Sequence, residues 1–317
     1  MTFPGGRKFA LSILDDTDVA TVESIRPVYE ELRTCGIMAT KTVWMKRSSV
    51  PNTIYRRSQT MEDADYADYV LSLQQQGFEI AFHGASMESS NREEIIQALD
   101  QFRKVFGSYP RIHVNHGRNQ DNLYWGPERF GLRLIRIALR CLAGHTHEGA
   151  DHFQGHVPGS PFFWGDLCRE HVDYVRNFCF EEINQGRINP SQPYHDPRCS
   201  FVKFWFSGLD APEVLTFNRL LRRVNLDRLE KEGGVCIVAT HFGKFFVQDG
   251  LLNSETQAIC RDLASRKGWY PTVSELLDHL RTRVGWRPIG RRELRMLEWR
   301  WLAHRLGARR GLRPEWA

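Results

Sequence analysis

Phe9-Ala-Leu-Ser-Ile-Leu-Asp15-Asp16-Thr17-Asp18 is a short, mostly apolar run that breaks into three carboxylates within four positions. A run of this length bounded by polar residues reads as a buried strand with its chemistry at the C-terminal end. Thr21 to Thr34 follows, with Val22, Ile25, Val28 and Leu32 at helical spacing, and Gly36 stands where a helix ends in a left-handed residue. The unit then repeats. Ile37 to Trp44 reads as a strand and Met61 to Gln76 as a helix with Tyr66, Val70 and Leu73 on one face, stopped by Gly77. Phe78 to Phe82 and Arg92 to Phe106, with Ile95, Leu99 and Phe102 in register, form a third unit closed by Gly107, and Arg111 to Val114 is a fourth strand.

Repeated strand, helix and Gly stop predict parallel βαβ units. Between Trp125 and Pro197 helical stretches (Arg129 to Leu142, Asp166 to Phe178) mix with clusters of Gly, Pro and His, and this part reads as one unit with long loops. The pattern resumes with a strand at Phe201 to Phe206, a helix around Glu213 to Glu232, the strand Val235 to Ala239, and helices near Thr256 to Lys267 and Val273 to Val284. About seven strands in an α/β chain without a GxGxxG turn predict a (β/α) barrel, TIM-like, either complete or incomplete, over residues 1–285, with a basic helical tail over 286–317.

The 317 residues carry a formal net charge of +5, but 11 Arg and 3 Glu lie from Arg281 onward, leaving 32 basic and 35 acidic groups before it. The body is near neutral, so a nucleic-acid partner is not expected. Seven Cys, odd in number and without a CxxC pair, indicate a reducing compartment rather than a disulfide framework or zinc ribbon. Cys141, Cys179 and Cys236 sit among apolar residues and read as core fillers. No apolar run approaches the roughly 20 residues of a membrane span, and no signal-peptide core follows Met1; a cytoplasmic location is the expectation.

Barrel chemistry sits at the C-terminal ends of strands. Those ends here are Asp15-Asp16-Thr17-Asp18, His83-Gly84, Asn115-His116-Gly117 and Thr240-His241. Carboxylate and imidazole converging from separate strands is the donor set of a catalytic divalent metal, with a second carboxylate available as general base and a further His as general acid. Singly, each is equally a helix cap or a hydrogen-bonded structural residue; together at one mouth they point to a site.

In order along the chain, Ile13-Leu-Asp-Asp16, Gly36 to Lys41, Gly77 to His83, Phe106-Gly-Ser-Tyr-Pro110, Ala239-Thr-His241 and Thr272 to Leu277 resemble the NodB-like polysaccharide deacetylase superfamily, a divergent case within carbohydrate esterase family 4. The resemblance spans most of residues 8 to 284 and rests on order and spacing, since each motif alone is weak. It implies Asp15 as catalytic base, Asp16 and His83 as metal ligands, His241 as general acid, and a hydrolase that removes an N-acyl or O-acyl group from a sugar. The superfamily's second His ligand falls four residues after the first, where this chain has Met87, a poor ligand for zinc. Its Arg-containing motif is replaced by Asn115-His116-Gly117, so His116 is expected to complete an Asp-His-His set. The ion implied is zinc, with nickel, cobalt, manganese and iron as alternatives.

Beyond those positions, Asn115, Trp125, His195 and Asp196 are candidate substrate-binding residues, the last two in a Pro-Tyr-His-Asp-Pro loop that reads equally as a turn. His145, His147, His152 and His156, among glycines, suggest a lid. Trp125 and Trp164, with Phe162 and Phe163, suit a carbohydrate face or loop packing. Arg291 to Leu306 reads as a helix with two apolar stripes and Arg between them. That pattern fits either packing on the barrel or a second subunit, or peripheral contact with the inner membrane face. Partners expected are an acylated sugar or lipid-linked glycan, in bacterial lipopolysaccharide O-antigen or capsule synthesis. The rival is a catalytically inactive carbohydrate-binding or assembly protein on the same fold.

Overall fold

The computed structural model describes residues 2–49, 58–143 and 152–307, and the side chains at 138, 140–143 and 305–307 fall outside that description. His145, His147 and the end of the tail therefore lie outside the described residues, as does the side chain of Cys141. Seven parallel strands, β1 (Phe9–Asp15), β2 (Ala39–Trp44), β3 (Glu79–Gly84), β4 (Ile112–His113), β5 (Tyr174–Phe180), β6 (Phe204–Asp210) and β7 (Val235–Thr240), close into a barrel by β1 pairing with β7. Gly268 and Trp269 add a two-residue strand against the start of β1, where β2 has not yet joined it.

Helices α1 (Val22–Thr34), α2 (Ala64–Gln75), α3 (Arg92–Phe106), α4 (Arg133–Ala143), α5 (Gly165–His171), α6 (Gln185–Ile188), α7 (Val214–Leu220), α8 (Arg223–Glu232), α9 (Ser254–Ser265), α10 (Val273–Val284) and α11 (Arg291–Gly307) join and surround the strands. Their starts are set by local chemistry. Thr21, Asn91 and Thr272 each accept from the backbone N–H three residues on, and Ser24, Glu94 and Glu275 reach back to the cap. Gly107 ends α3 in the left-handed region that its position requires.

Strand alternation divides the interior into two cores. Phe9, Leu11 and Ile13 point outward into the layer under the helices, whereas Ala10 and Leu14 point into the barrel with Ala81, Tyr174, Phe206 and Ile237. The same alternation continues to the strand ends and decides which polar residues reach the barrel mouth.

Two parts differ from the sequence expectation. The stretch read as a helix over Asp166 to Phe178 is α5 followed by β5, and the helix around Glu213 to Glu232 is two helices that break at Leu221 and Arg222. In β5 the polar pair Arg176 and Asn177 interrupts the apolar run, which hides a strand whose arginine points into the barrel. The C-terminal helix α11 turns one stripe, Leu294, Leu297 and Trp301, into the outer core against Phe130 and Phe178. Glu298 is buried beside them and accepts from the Gly131 N–H at 2.6 Å. Met296 and Trp299, on the other stripe, are exposed.

Candidate metal centre

A pocket of about 410 Å³ opens at the C-terminal end of the barrel, lined among others by Asp16, Asp18, His83, His116, Arg176 and His241. Asp18 is its centre. One carboxylate oxygen, Oδ1, lies 3.5 Å from His83 Nε2 and 3.4 Å from His116 Nε2, and the three donor atoms lie within 4.8 Å of one another. Ligands about 2.1 Å from a tetrahedral ion are roughly 3.4 Å apart, so the spacing is that of groups sharing one ion. Asp18 Oδ1 and both ring nitrogens of His83 are buried with no hydrogen-bond partner. Buried polar atoms are rarely left so, and one carboxylate with two imidazoles is a donor set for zinc and its first-row neighbours. The residues present therefore fit a divalent ion.

The local structure explains how each candidate ligand is aimed. His83 follows Ala81 by two positions in β3 and so shares its inward face. Beyond β4, the Asn122 amide grips His116 at both backbone groups, accepting from its N–H at 3.0 Å and donating to its carbonyl at 3.1 Å. Asn115, expected to bind substrate, does the same for Leu123: its Oδ1 accepts from the Leu123 N–H at 2.9 Å and its Nδ2 donates to the carbonyl at 3.0 Å. It lines the pocket, but its amide is committed to the loop. Trp44 packs against both imidazoles, at ring distances of 4.4 and 4.8 Å. Met87 is buried and is not among the pocket-lining residues.

Asp15 and Asp16 part company. Asp15 follows Ile13 outward, where Lys41 Nζ lies 3.0 Å away and the Tyr29 hydroxyl and Phe242 N–H donate to the carboxylate at 3.0 and 2.8 Å. Both oxygens are engaged in the layer beneath the helices, and Asp15 does not line the pocket. Burial works to lower the Lys41 ammonium, but the adjacent Asp15 carboxylate outweighs it and holds Lys41 above its ordinary value. Asp16 follows Leu14 inward, but its Oδ2 accepts from Arg176 at 2.6 Å rather than facing the imidazole pair. Burial pushes the Asp16 carboxyl up, and Arg176, His83 and His241 more than offset it, leaving the group below its usual value. Burial likewise raises Asp18, and the charge of nearby His116 overcomes it, so Asp18 stays well below the carboxylate range.

His241 closes the site opposite. Its Nδ1 lies 2.8 Å from the Pro212 carbonyl, an acceptor only, so Nδ1 carries the hydrogen and Nε2 faces Asp18 Oδ2 at 3.4 Å. Trp125 lines the pocket, with the Arg129 guanidinium over its ring at 4.0 Å. His195 and Asp196 lie elsewhere. His195 Nδ1 bonds the Lys203 carbonyl at the start of β6, and Asp196 is clamped by Arg198 at 2.6 Å. Of the other histidines, His156 accepts from the Tyr124 N–H at 3.1 Å, and His152 bonds the Arg118 carbonyl. Sequence reasoning did not single out Arg176 or Lys244, and it placed Asp18 among the strand-end carboxylates without a role. For Arg176, the signal was alternation within Tyr174-Val-Arg-Asn-Phe-Cys-Phe180, which puts Arg176 on the face of Tyr174.

No protein-family profile and no curated protein sequence matches this chain. Solved structures do. A protein of Mycobacterium smegmatis assigned as a polysaccharide deacetylase superposes with a TM-score of 0.53 at 12% identity, over 92% of this chain and 96% of that one. A second, from Pseudomonas aeruginosa PAO1 and bearing the same assignment, gives 0.52 at 11% identity, over 91% and 95%. Likeness at this identity speaks to architecture, and together with the closed seven-stranded parallel barrel it leads to one conclusion: this chain has the fold of the NodB-like polysaccharide deacetylases, in a divergent form.

Proposed function

We propose that the protein is a metal-dependent hydrolase that removes an N-acyl group, acetyl or formyl, from a sugar. The observation that carries this reading is the convergence of Asp18, His83 and His116 donor atoms at the barrel mouth, with the Arg176-paired carboxylate of Asp16 beside them. A divalent ion held by those three residues supplies Lewis acidity toward the acyl carbonyl, with zinc first and nickel, cobalt, manganese and iron behind it.

The chain's own groups handle the protons. Asp16 is the base: Arg176 keeps it ionised, and its Oδ1, buried and without a hydrogen-bond partner, is the atom left to accept a proton from the attacking water. His241 is the acid, presenting Nε2 to the pocket while Pro212 fixes the ring through Nδ1. The carbonyl carbon gains a bond to water oxygen and loses its bond to the sugar nitrogen, which departs with the proton from His241. Asp15 supports this from behind, as half of a buried ion pair.

Acylated sugars or lipid-linked glycans of bacterial surface polysaccharide assembly, O-antigen or capsule, are the substrates this reading favours. Peripheral contact of α11 with a membrane face, or with a second copy, fits its exposed Met296 and Trp299. The test is acetate or formate release from N-acyl sugars by zinc-reconstituted protein. Asp16→Asn should lower turnover by about 10²–10⁴-fold with zinc stoichiometry unchanged, and a variant as active as the parent contradicts the assignment.

A further inference from the structure

Lys244 lines the same pocket, on the turn after β7, and the reaction above gives it no task. Its backbone is held at both ends. The N–H donates to the His241 carbonyl at 2.9 Å, and the carbonyl accepts from the Val214 N–H at 3.4 Å. Gly243, just before it, lies against the turn after β1 so closely that a Cβ would come within 2.5 Å of the Val19 carbonyl oxygen. Phe245, just after it, adopts φ 66° and is 64% exposed. A bulky residue takes that conformation only where its surroundings impose it, and such residues gather at functional sites. The turn thus aims the lysine into the pocket while leaving a phenyl ring in solvent.

The Lys244 ammonium lies 3.6 Å from Asp18 Oδ2, its partner in the pocket. That carboxylate is the one assigned to the ion, so a loaded site places a second cation beside Lys244 and their shared counter-ion is already engaged. Arg176 is committed to Asp16, and the lining as a whole sets three cations, Arg118, Arg176 and Lys244, against three carboxylates, Asp16, Asp18 and Asp210, so a bound divalent ion would leave it net positive. Cations grouped in a partly enclosed cleft favour an anion between them. We propose that Lys244 binds an anionic group, carboxylate or phosphate, carried by the substrate, so that the substrate class is an acidic or phosphorylated N-acyl sugar rather than a neutral one. This rests on the hydrolase reading above.

The test is calorimetric binding of three probes to zinc-loaded protein: N-acetylglucosamine, its 1-phosphate, and the corresponding uronic acid. At least one anionic probe should bind tenfold or more tightly than the neutral sugar, and which one does so identifies the source of the charge. Lys244→Gln, with its zinc content and melting temperature checked against the parent, should erase that preference, and Lys244→Arg should keep most of it. Three sugars binding within twofold of one another, no binding by any of them, or a preference undiminished in Lys244→Gln would each overturn the proposal. Acyl release is scored separately in the same samples: a sugar that binds through Lys244 yet keeps its acyl group retires the hydrolase reading and leaves the anion assignment standing.

Discussion

Val19 follows Asp18 with φ 59°, a region in which a β-branched side chain crowds its own backbone. Its N–H is anchored to Ser58 Oγ at 2.7 Å, so the turn that carries Asp18 is held in a costly shape. Val19→Gly should change stability by no more than about 1 kcal/mol, since relieved strain offsets added chain entropy. It should also weaken zinc binding by about tenfold as Asp18 loses its aim; calorimetric titration showing unchanged affinity would remove any positioning role. The two carboxylates before it separate by kind of damage. Asp15→Asn strips a buried lysine of its counter-charge and should cost about 3–5 kcal/mol in urea unfolding while zinc stoichiometry stays the same. Loss of zinc without loss of stability would instead place Asp15 in the site.

At the scale of elements, much of the fold was legible, and the reasons for the misses are local. Strand β1 was visible from its apolar run and α3 from its helical face and glycine stop, because local pattern and burial agree there. The choice between Asp15 and Asp16 was also written in the sequence: Leu14 faces the barrel, so period two sends Asp16 inward and Asp15 out. The resemblance supplied an order of roles, base on Asp15 and ligand on Asp16, and of those two only Asp16 lines the pocket. Strand β5 escaped because Arg176 faces the pocket and Asn177 is a buried polar residue bonded to Arg129 and Tyr194, so neither continues the apolar run. The Asn122 grip on His116 carries no periodic signature at all. Asn122→Ala should lower zinc affinity by about 10–100-fold with little change in the far-ultraviolet spectrum; unchanged affinity would mean the loop holds His116 by other contacts.

For the whole molecule, burial of neutral imidazole contributes to the acid limb of stability. His113 sits against Phe82 and Trp164, and burial depresses its pKa from 6.5 to about 3; burial also takes His156 to about 4. Each folded pKa lies below its unfolded value, so the unfolded chain binds more protons. The stability they support is complete above pH 6.5 and falls as the pH drops toward 4 and then 3, by roughly 1.4 kcal/mol per unit for each group. His113→Gln should remove one such slope from urea unfolding between pH 6 and 4, and a slope parallel to the parent's would show that His113 does not control it. Composition left the fate of the basic tail open. The structure packs α11 against β5 through Leu294, Leu297 and Trp301, and no described helix is long and apolar enough to cross a membrane.

We propose that Asp18, His83 and His116 hold one divalent ion, and metal content tests this most directly. Elemental analysis of the zinc-reconstituted protein should find about one equivalent in the parent and in Asp16→Asn, and none in Asp18→Ala or His116→Ala. A parent that takes up no metal, or an Asp18→Ala protein that keeps its full equivalent, would contradict the account.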